Sequence, residues 1–346
     1  GRIEHLPLTV DEYSLDRHEA DTSSEFTRVT TTFCLTGDGE TGRGEDVTYE
    51  PEDHDALHDW DGTFPLSGDY TVDEFSHLLD GIDLFPAGEP DRDAYRKYRR
   101  WGIESAAIDL ALRQAETDFA SALEQSYDPV RFVISTRLGE PPSADRVHRW
   151  LEIDPTYEFK LDPTDAWSEG LITALEATDA VRTLDLKGHY SGTLVDQDAS
   201  PDLYRRVVEG FPDAIIEDPA LTDETQPLLD GYGNRISWDQ PITGVESVRD
   251  APYGPEWINI KPSRFGTVES LLDTIEYCLD RGIQLYGGGQ FELAEGRAHL
   301  QALASVFYPD APNDVAPSEY NAPEPTTGLP KSPLDPPTDP HGFDWR

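Results

Sequence analysis

From residue 131 onward, short apolar runs alternate with amphipathic stretches, and this rhythm limits the fold more than any other feature of the chain. The runs are RFVIST, YEFKL, VRTLDL, DAIIE, RISWD, WINIK and IQLYGGG. Between them lie segments with apolar residues at helical spacing, such as VESLLDTIEYCLDRG at 268–282, whose closing Gly suits a helix C-terminus. Strands that alternate with helices predict parallel βα units. Seven units over this length suit a (β/α) barrel, at about 30 residues per unit. An open doubly wound sheet is the alternative that the pattern alone leaves standing.

The first 125 residues read differently. FTRVTTTFCL at 26–35 is rich in β-branched and aromatic residues and is followed by turn-formers, which predicts a strand and a turn. Residues 72–83 and 92–126 carry helical spacing, so a small α+β domain is expected ahead of the βα region. After about 322 the chain is Pro-rich and fits neither a core helix nor a central strand; it is expected to lie extended on the surface or to be disordered.

Composition excludes several function classes. There are 69 acidic against 27 basic residues, a formal net charge of −42, which repels nucleic acid and anionic membranes. The acids are spread along the whole chain and aromatic residues make 10%, so the pattern reads as a folded, salt-adapted protein rather than a disordered acidic one. Cys34 and Cys278 stand far apart without metal-site spacing, and neither a membrane span nor a signal peptide is evident. A reducing cytoplasm is the expected compartment.

In a parallel barrel, working groups come from the C-terminal ends of the strands. Those positions hold Lys160, Asp185, Glu217, Asp239 and Lys261, separated by 25, 32, 22 and 22 residues. Three carboxylates crowded together cannot all stay ionised without a cation, and a hard divalent ion such as Mg²⁺, or Mn²⁺, takes oxygen ligands. Asp185, Glu217 and Asp239 are therefore candidate metal ligands. Lys160 and Lys261 flank them and are candidate bases or acids at the α-carbon of a metal-bound carboxylate. Ser263 and Arg264, just beyond Lys261, are read as candidate contacts to a distal anionic group of the substrate. In AIIEDPA at 214–220, Glu217 should point inward, while Asp218, one residue on, should face away.

These residues resemble the enolase superfamily, specifically mandelate racemase-like proteins of the muconate-lactonizing-enzyme subgroup. Lys160 matches the second lysine of the family's K-x-K motif, with Glu158 at the first position. Asp185, Glu217 and Asp239 match its metal ligands, and Lys261 its strand-six lysine. The YGGGQFELAEGRAHLQALAS segment is similar to its glycine-rich strand-seven end with the acidic residue, here Glu292, and WGIESAAIDLAL resembles the last helix before its barrel. The resemblance implies a modified TIM barrel, (β/α)7β, over 126–321, an α+β capping domain over 1–125, and a Pro-rich tail over 322–346. It also implies Mg²⁺-dependent α-proton abstraction giving a stabilised enediolate, with epimerisation, cycloisomerisation or dehydration of a small acid as outcomes. A sugar acid or an amino-acid derivative is the expected substrate class, with assembly into a homo-oligomer open.

Three departures stand out. Lys187 replaces the family's usual Asn, Gln240 replaces a common acid, and no His closes strand seven. Lys187 is placed to bind a second substrate acid or to pair with Glu217 or Asp239. A metal-dependent carboxylate-binding protein without catalysis is the alternative function. GDGETG at 37–42 matches a dinucleotide-binding pattern, but the acidic segment after it does not suit a phosphate-binding helix; a loop closing over the barrel mouth is expected instead. His189 and Tyr190 are within reach of the site but read as surface residues, Asp162 reads as a helix cap, and Trp167 and Trp238 read as packing.

Overall fold

The computed structural model describes residues 3–22, 26–189 and 199–345. Tyr190 lies outside them. The first part of the chain forms β1 (Pro7–Val10), β2 (Glu12–Asp21), β3 (Thr27–Gly37), β4 (Glu40–Asp46) and β5 (Gly68–Thr71). Strands β2, β3 and β4 make one antiparallel sheet, and β1 pairs antiparallel with β5. The helix Ala94–Gln114 packs on this sheet so closely that a Cβ on Gly44 would lie 2.1 Å from the Gly102 carbonyl oxygen. The helical reading of 92–126 is therefore corrected. The helix ends at Gln114, Glu116 takes φ 51, and a separate short helix, Phe119–Ala122, starts under an Asp118 cap.

GDGETG is the β3–β4 hairpin, with Asp38 and Gly39 at φ 51 and 81. Its glycines serve packing, because a Cβ on Gly42 would strike the same long helix at 2.2 Å. The hairpin packs against β1 and the end of that helix: a Cβ on Gly37 would meet Thr9 O at 1.9 Å, and Gln114 donates its side-chain amide to Gly37 O at 3.0 Å.

The second part supplies β6 (Ile134–Thr136), β7 (Phe159–Leu161), β8 (Val181–Asp185), β9 (Ile215–Glu217), β10 (Ile236–Trp238), β11 (Trp257–Ile260) and β12 (Gln284–Gly287). All seven are parallel and pair in chain order. The open doubly wound alternative requires a reversal of strand order, and none occurs among them. The outermost strands are linked through one segment: Asp314 donates its N–H to Gly287 O at 2.8 Å, and Val133 donates to Asn313 O at 2.8 Å.

The two parts are tied together by buried polar groups. Arg28 of β3 donates to the carbonyls of Val47, Thr48 and Gln290. Glu45 of β4 accepts the N–H groups of Leu293, Ala294 and Gly296 at the start of the helix Glu295–Phe307, where a carboxylate is favoured. The Pro-rich tail is extended and anchored. Leu334 bridges to Val130, and Phe343 is fully buried between Phe119 at 4.4 Å and His299 at 4.3 Å. Both cysteines are free and buried. Among the described residues, no helix is long and apolar enough to cross a membrane.

Candidate active site

Parallel strands all end on the same side of their sheet, so the residues closing β7 to β11 are gathered at one rim. Asp185 and Glu217 are register partners across β8 and β9. Asp185, Glu217 and Asp239 are fully buried, and Lys160 and Lys261 nearly so. Lys160 Nζ lies 2.6 Å from Glu217 Oε1 and 3.7 Å from Asp185 Oδ2. Lys261 Nζ lies 2.8 Å from Asp239 Oδ2. Three carboxylates thus form a row with a lysine at each flank.

The remaining candidates divide. Lys187 binds Asp185 and stands 3.8 Å from Asp162, and against burial the Asp162, Asp185 and Glu217 charges together hold its ammonium well above the usual lysine range. Arg264 reaches Asp239 at 2.9 Å, placing its guanidinium inside the cluster rather than beyond it. Ser263 is buried next to it. Glu292 stands apart: it accepts the Gln290 N–H at 2.7 Å and faces Arg297 at 3.5 Å. Glu158 is held by two arginines, Arg131 at 2.6 Å and Arg182 at 2.6 Å. Asp162 caps no helix; the next one starts under Ser168, while Asp162 faces Arg137 at 3.4 Å. Trp167 and Trp238 are core residues, and His189 is half-buried with its ring edge-on to Trp238. A Cβ on Gly288 would come within 3.0 Å of Lys261 Cε, so glycine leaves room for that side chain.

Four residues complete the cluster without having been foreseen there. Tyr286 of β12 donates its hydroxyl to Glu217 Oε2, and Asn259 of β11 donates to the same oxygen at 3.3 Å. Asp314 stands 3.5 Å from Lys160. Asp218 corrects the outward orientation expected for it. It is fully buried, and its carboxylate accepts the N–H groups of Asp239 and Gln240, each at 2.8 Å. Period-two alternation carried a signal for Asn259, which sits two residues before Lys261 on the same inner face. Asp218 escaped that rule because its backbone leaves the strand at φ 47.

The charges are unevenly matched. Burial works to raise the Asp185 carboxyl, but the ammonium groups of Lys187 and Lys160 overcome it and hold it at about 2. Asp239 is likewise held low against burial, by Arg264 and Lys261. Burial pushes Glu217 up to about 8; Lys160 pulls against this, and the Asp185 and Asp239 charges add to the push. Asp218 is raised to about 7 by burial and the same two carboxylates. Four cationic side chains, those of Lys160, Lys187, Lys261 and Arg264, bear on the three carboxylates of the row. The buried, all-oxygen donor set of these carboxylates fits a hard divalent cation. Among the described residues, no three acid side chains converge as a ready-made cage. Ammonium groups already occupy carboxylate oxygens of the row.

Comparison with known proteins follows the same lines. An N-succinylamino acid racemase of Amycolatopsis is 27% identical over 63% of this chain, and the chain spans 60% of that protein's length. An N-succinylamino acid racemase of Thermus thermophilus is 26% identical over 91% of this chain and 86% of its own. The crystal structure of a member of the enolase superfamily from Listeria innocua superposes with a TM-score of 0.65 at 18% identity, covering 90% of this chain and 86% of that one. The fold is thus that of the enolase superfamily. Two family models match, described as the N-terminal domain of a domain of unknown function, DUF8230, over 1–122, and its C-terminal domain over 126–322. The chain belongs to the DUF8230 family and has the fold of the enolase superfamily.

Proposed function

We propose that this protein removes the α-proton of a small carboxylate substrate and returns a proton to the opposite face, racemising or epimerising it. The observation that carries the reading is the placement of Lys160 and Lys261 on opposite flanks of the buried Asp185–Glu217–Asp239 row. One lysine as free amine accepts the α-proton, while the other, as ammonium, faces the enediolate charge and donates to the second face. Cycloisomerisation or dehydration would need only one of them as base, so the matched pair favours inversion at carbon.

Asp185, Glu217 and Asp239 are the residues that would hold a divalent cation, Mg²⁺ by donor chemistry. When bound, such an ion polarises a substrate carboxylate and stabilises negative charge growing next to it. Arg264 holds Asp239 in place from outside the row, and the Lys187 ammonium on Asp185 would give up that oxygen to the cation. Lys187 and Asp314 add charge at the Lys160 side, where a polar substituent of the substrate would be met.

In this reading residues 1–125 cap a (β/α)7β barrel over 126–321, and 322–346 brace it. The net charge of −42 supports work in concentrated salt. The racemase names of the two relatives support an N-acylated amino acid as the substrate class, within the small acids expected from the site. Incubating the protein with N-succinyl amino acids, Mg²⁺ and molar KCl in D₂O tests this. Deuterium should enter the α-position of both enantiomers, with loss of optical rotation. Binding without exchange would instead indicate a carboxylate-binding protein.

A further inference from the structure

We propose that Asp218 is a positioning residue that sets the place of Asp239 and stitches together the ends of the three strands bearing the carboxylate row. The inference rests on the reading that Asp239 holds the cation. Asp218 is fully buried, and each of its two carboxylate oxygens accepts one backbone N–H from the end of β10, Asp239 to Oδ1 and Gln240 to Oδ2 at 2.8 Å each. Its own backbone joins two more neighbours: its N–H donates to Ser237 O at 2.9 Å, and its carbonyl accepts the Gly188 N–H at 2.8 Å. One residue therefore links β9 to β10 and to the turn that follows β8.

Two further observations argue against a passive filler. Asp218 takes φ 47, a left-handed conformation uncommon outside glycine, and it does so directly before Pro219, where the backbone is also restricted. Such strain persists where surrounding bonds over-determine it, as four hydrogen bonds do here. The Asp239 side chain is drawn at once by Lys261 at 2.8 Å and Arg264 at 2.9 Å. A carboxylate at a strand end loaded by two cations stays aimed only if its main chain is pinned, and the Asp218 clamp pins that peptide and the next. Partners behind a metal ligand commonly matter this way, with losses of about 10–100-fold in affinity when they are removed.

The experiment uses the full-length protein, stripped of metal, as wild type, Asp218→Asn, Asp218→Ala and Asp239→Asn. Asparagine keeps the volume but offers one acceptor, so its amide sets N–H against the second backbone N–H. Mn²⁺ and Mg²⁺ affinity is measured by calorimetry, amide hydrogen exchange at residues 239 and 240 in the metal-free state, and melting temperature alongside. In the wild type both amides should exchange slowly, and both Asp218 variants should speed them by tenfold or more and weaken cation binding by about 10–100-fold. Fast exchange at 239 and 240 in the wild type overturns the clamp without reference to any variant. A lower melting temperature with affinity within threefold of wild type, while Asp239→Asn abolishes binding, overturns the positioning role and leaves a structural one. If Asp239→Asn binds cations normally, the ligand reading fails instead, and the exchange data still judge the clamp.

Discussion

Lys160 Nζ lies 2.6 Å from Glu217 Oε1, so the lysine of one flank is held by the middle carboxylate of the row. Lys261, on the other flank, is held by the last carboxylate, Asp239, at 2.8 Å. Each lysine is thus fixed by a strand-end acid rather than left on a mobile stem, which is what a proton transfer to a defined face requires.

The Lys187 ammonium sits on Asp185 and competes with any cation for that oxygen. Replacing it by Gln should tighten Mg²⁺ and Mn²⁺ binding by about tenfold, the size of one neighbouring opposite charge. Calorimetry on metal-stripped Lys187→Gln checks this; weaker binding would mean that Lys187 orients Asp185 more than it competes.

Burial raises the Glu217 carboxyl from 4.5 to about 8, so metal-free protein at pH 7 keeps that proton in most molecules. Cation binding should release close to one proton at pH 7, and affinity should fall about tenfold per pH unit below 8. The stability sign follows from the same direction. A group raised on folding contributes fully below about 4.5, and that contribution is lost as pH rises through about 8. Metal-free protein should therefore lose stability across this window and regain it with added cation. Calorimetry in buffers of different ionisation enthalpy counts the protons, and melting scans follow the stability.

Phe343 anchors the tail between Phe119 and His299. Phe343→Ala should cost about 3–5 kcal/mol, because a fully buried ring leaves a cavity. Chemical denaturation measures the loss. A change below about 1 kcal/mol would show that the tail rests on the core without bracing it.

The seven strands of the second part were legible because each is a short apolar run bounded by turn-formers, and register then gathers the ionisable residues at their ends. Legibility stopped where the backbone leaves regular geometry. Asp218 was assigned the wrong side because alternation holds only while the chain is extended, and φ 47 ends that at once. The same cause split the long helix at Glu116, at φ 51, although the apolar spacing continued through it. Tyr286 and Asp314 were silent for another reason. Their role arises from the curl of the sheet, which brings β12 and the segment after it against β9 and β7, and no local pattern encodes that approach.

The central claim is that Lys160 and Lys261 serve opposite faces of one α-carbon. The most direct measurement follows α-deuterium incorporation from D₂O into each separate enantiomer of an N-succinyl amino acid, in Lys160→Ala and in Lys261→Ala. Racemisation should fall by about 10²–10⁴-fold in both variants. Each should still exchange the α-proton of one enantiomer, and the two should retain opposite ones. If both variants lose exchange of both enantiomers alike, or both retain the same one, the two lysines do not face each other across the substrate.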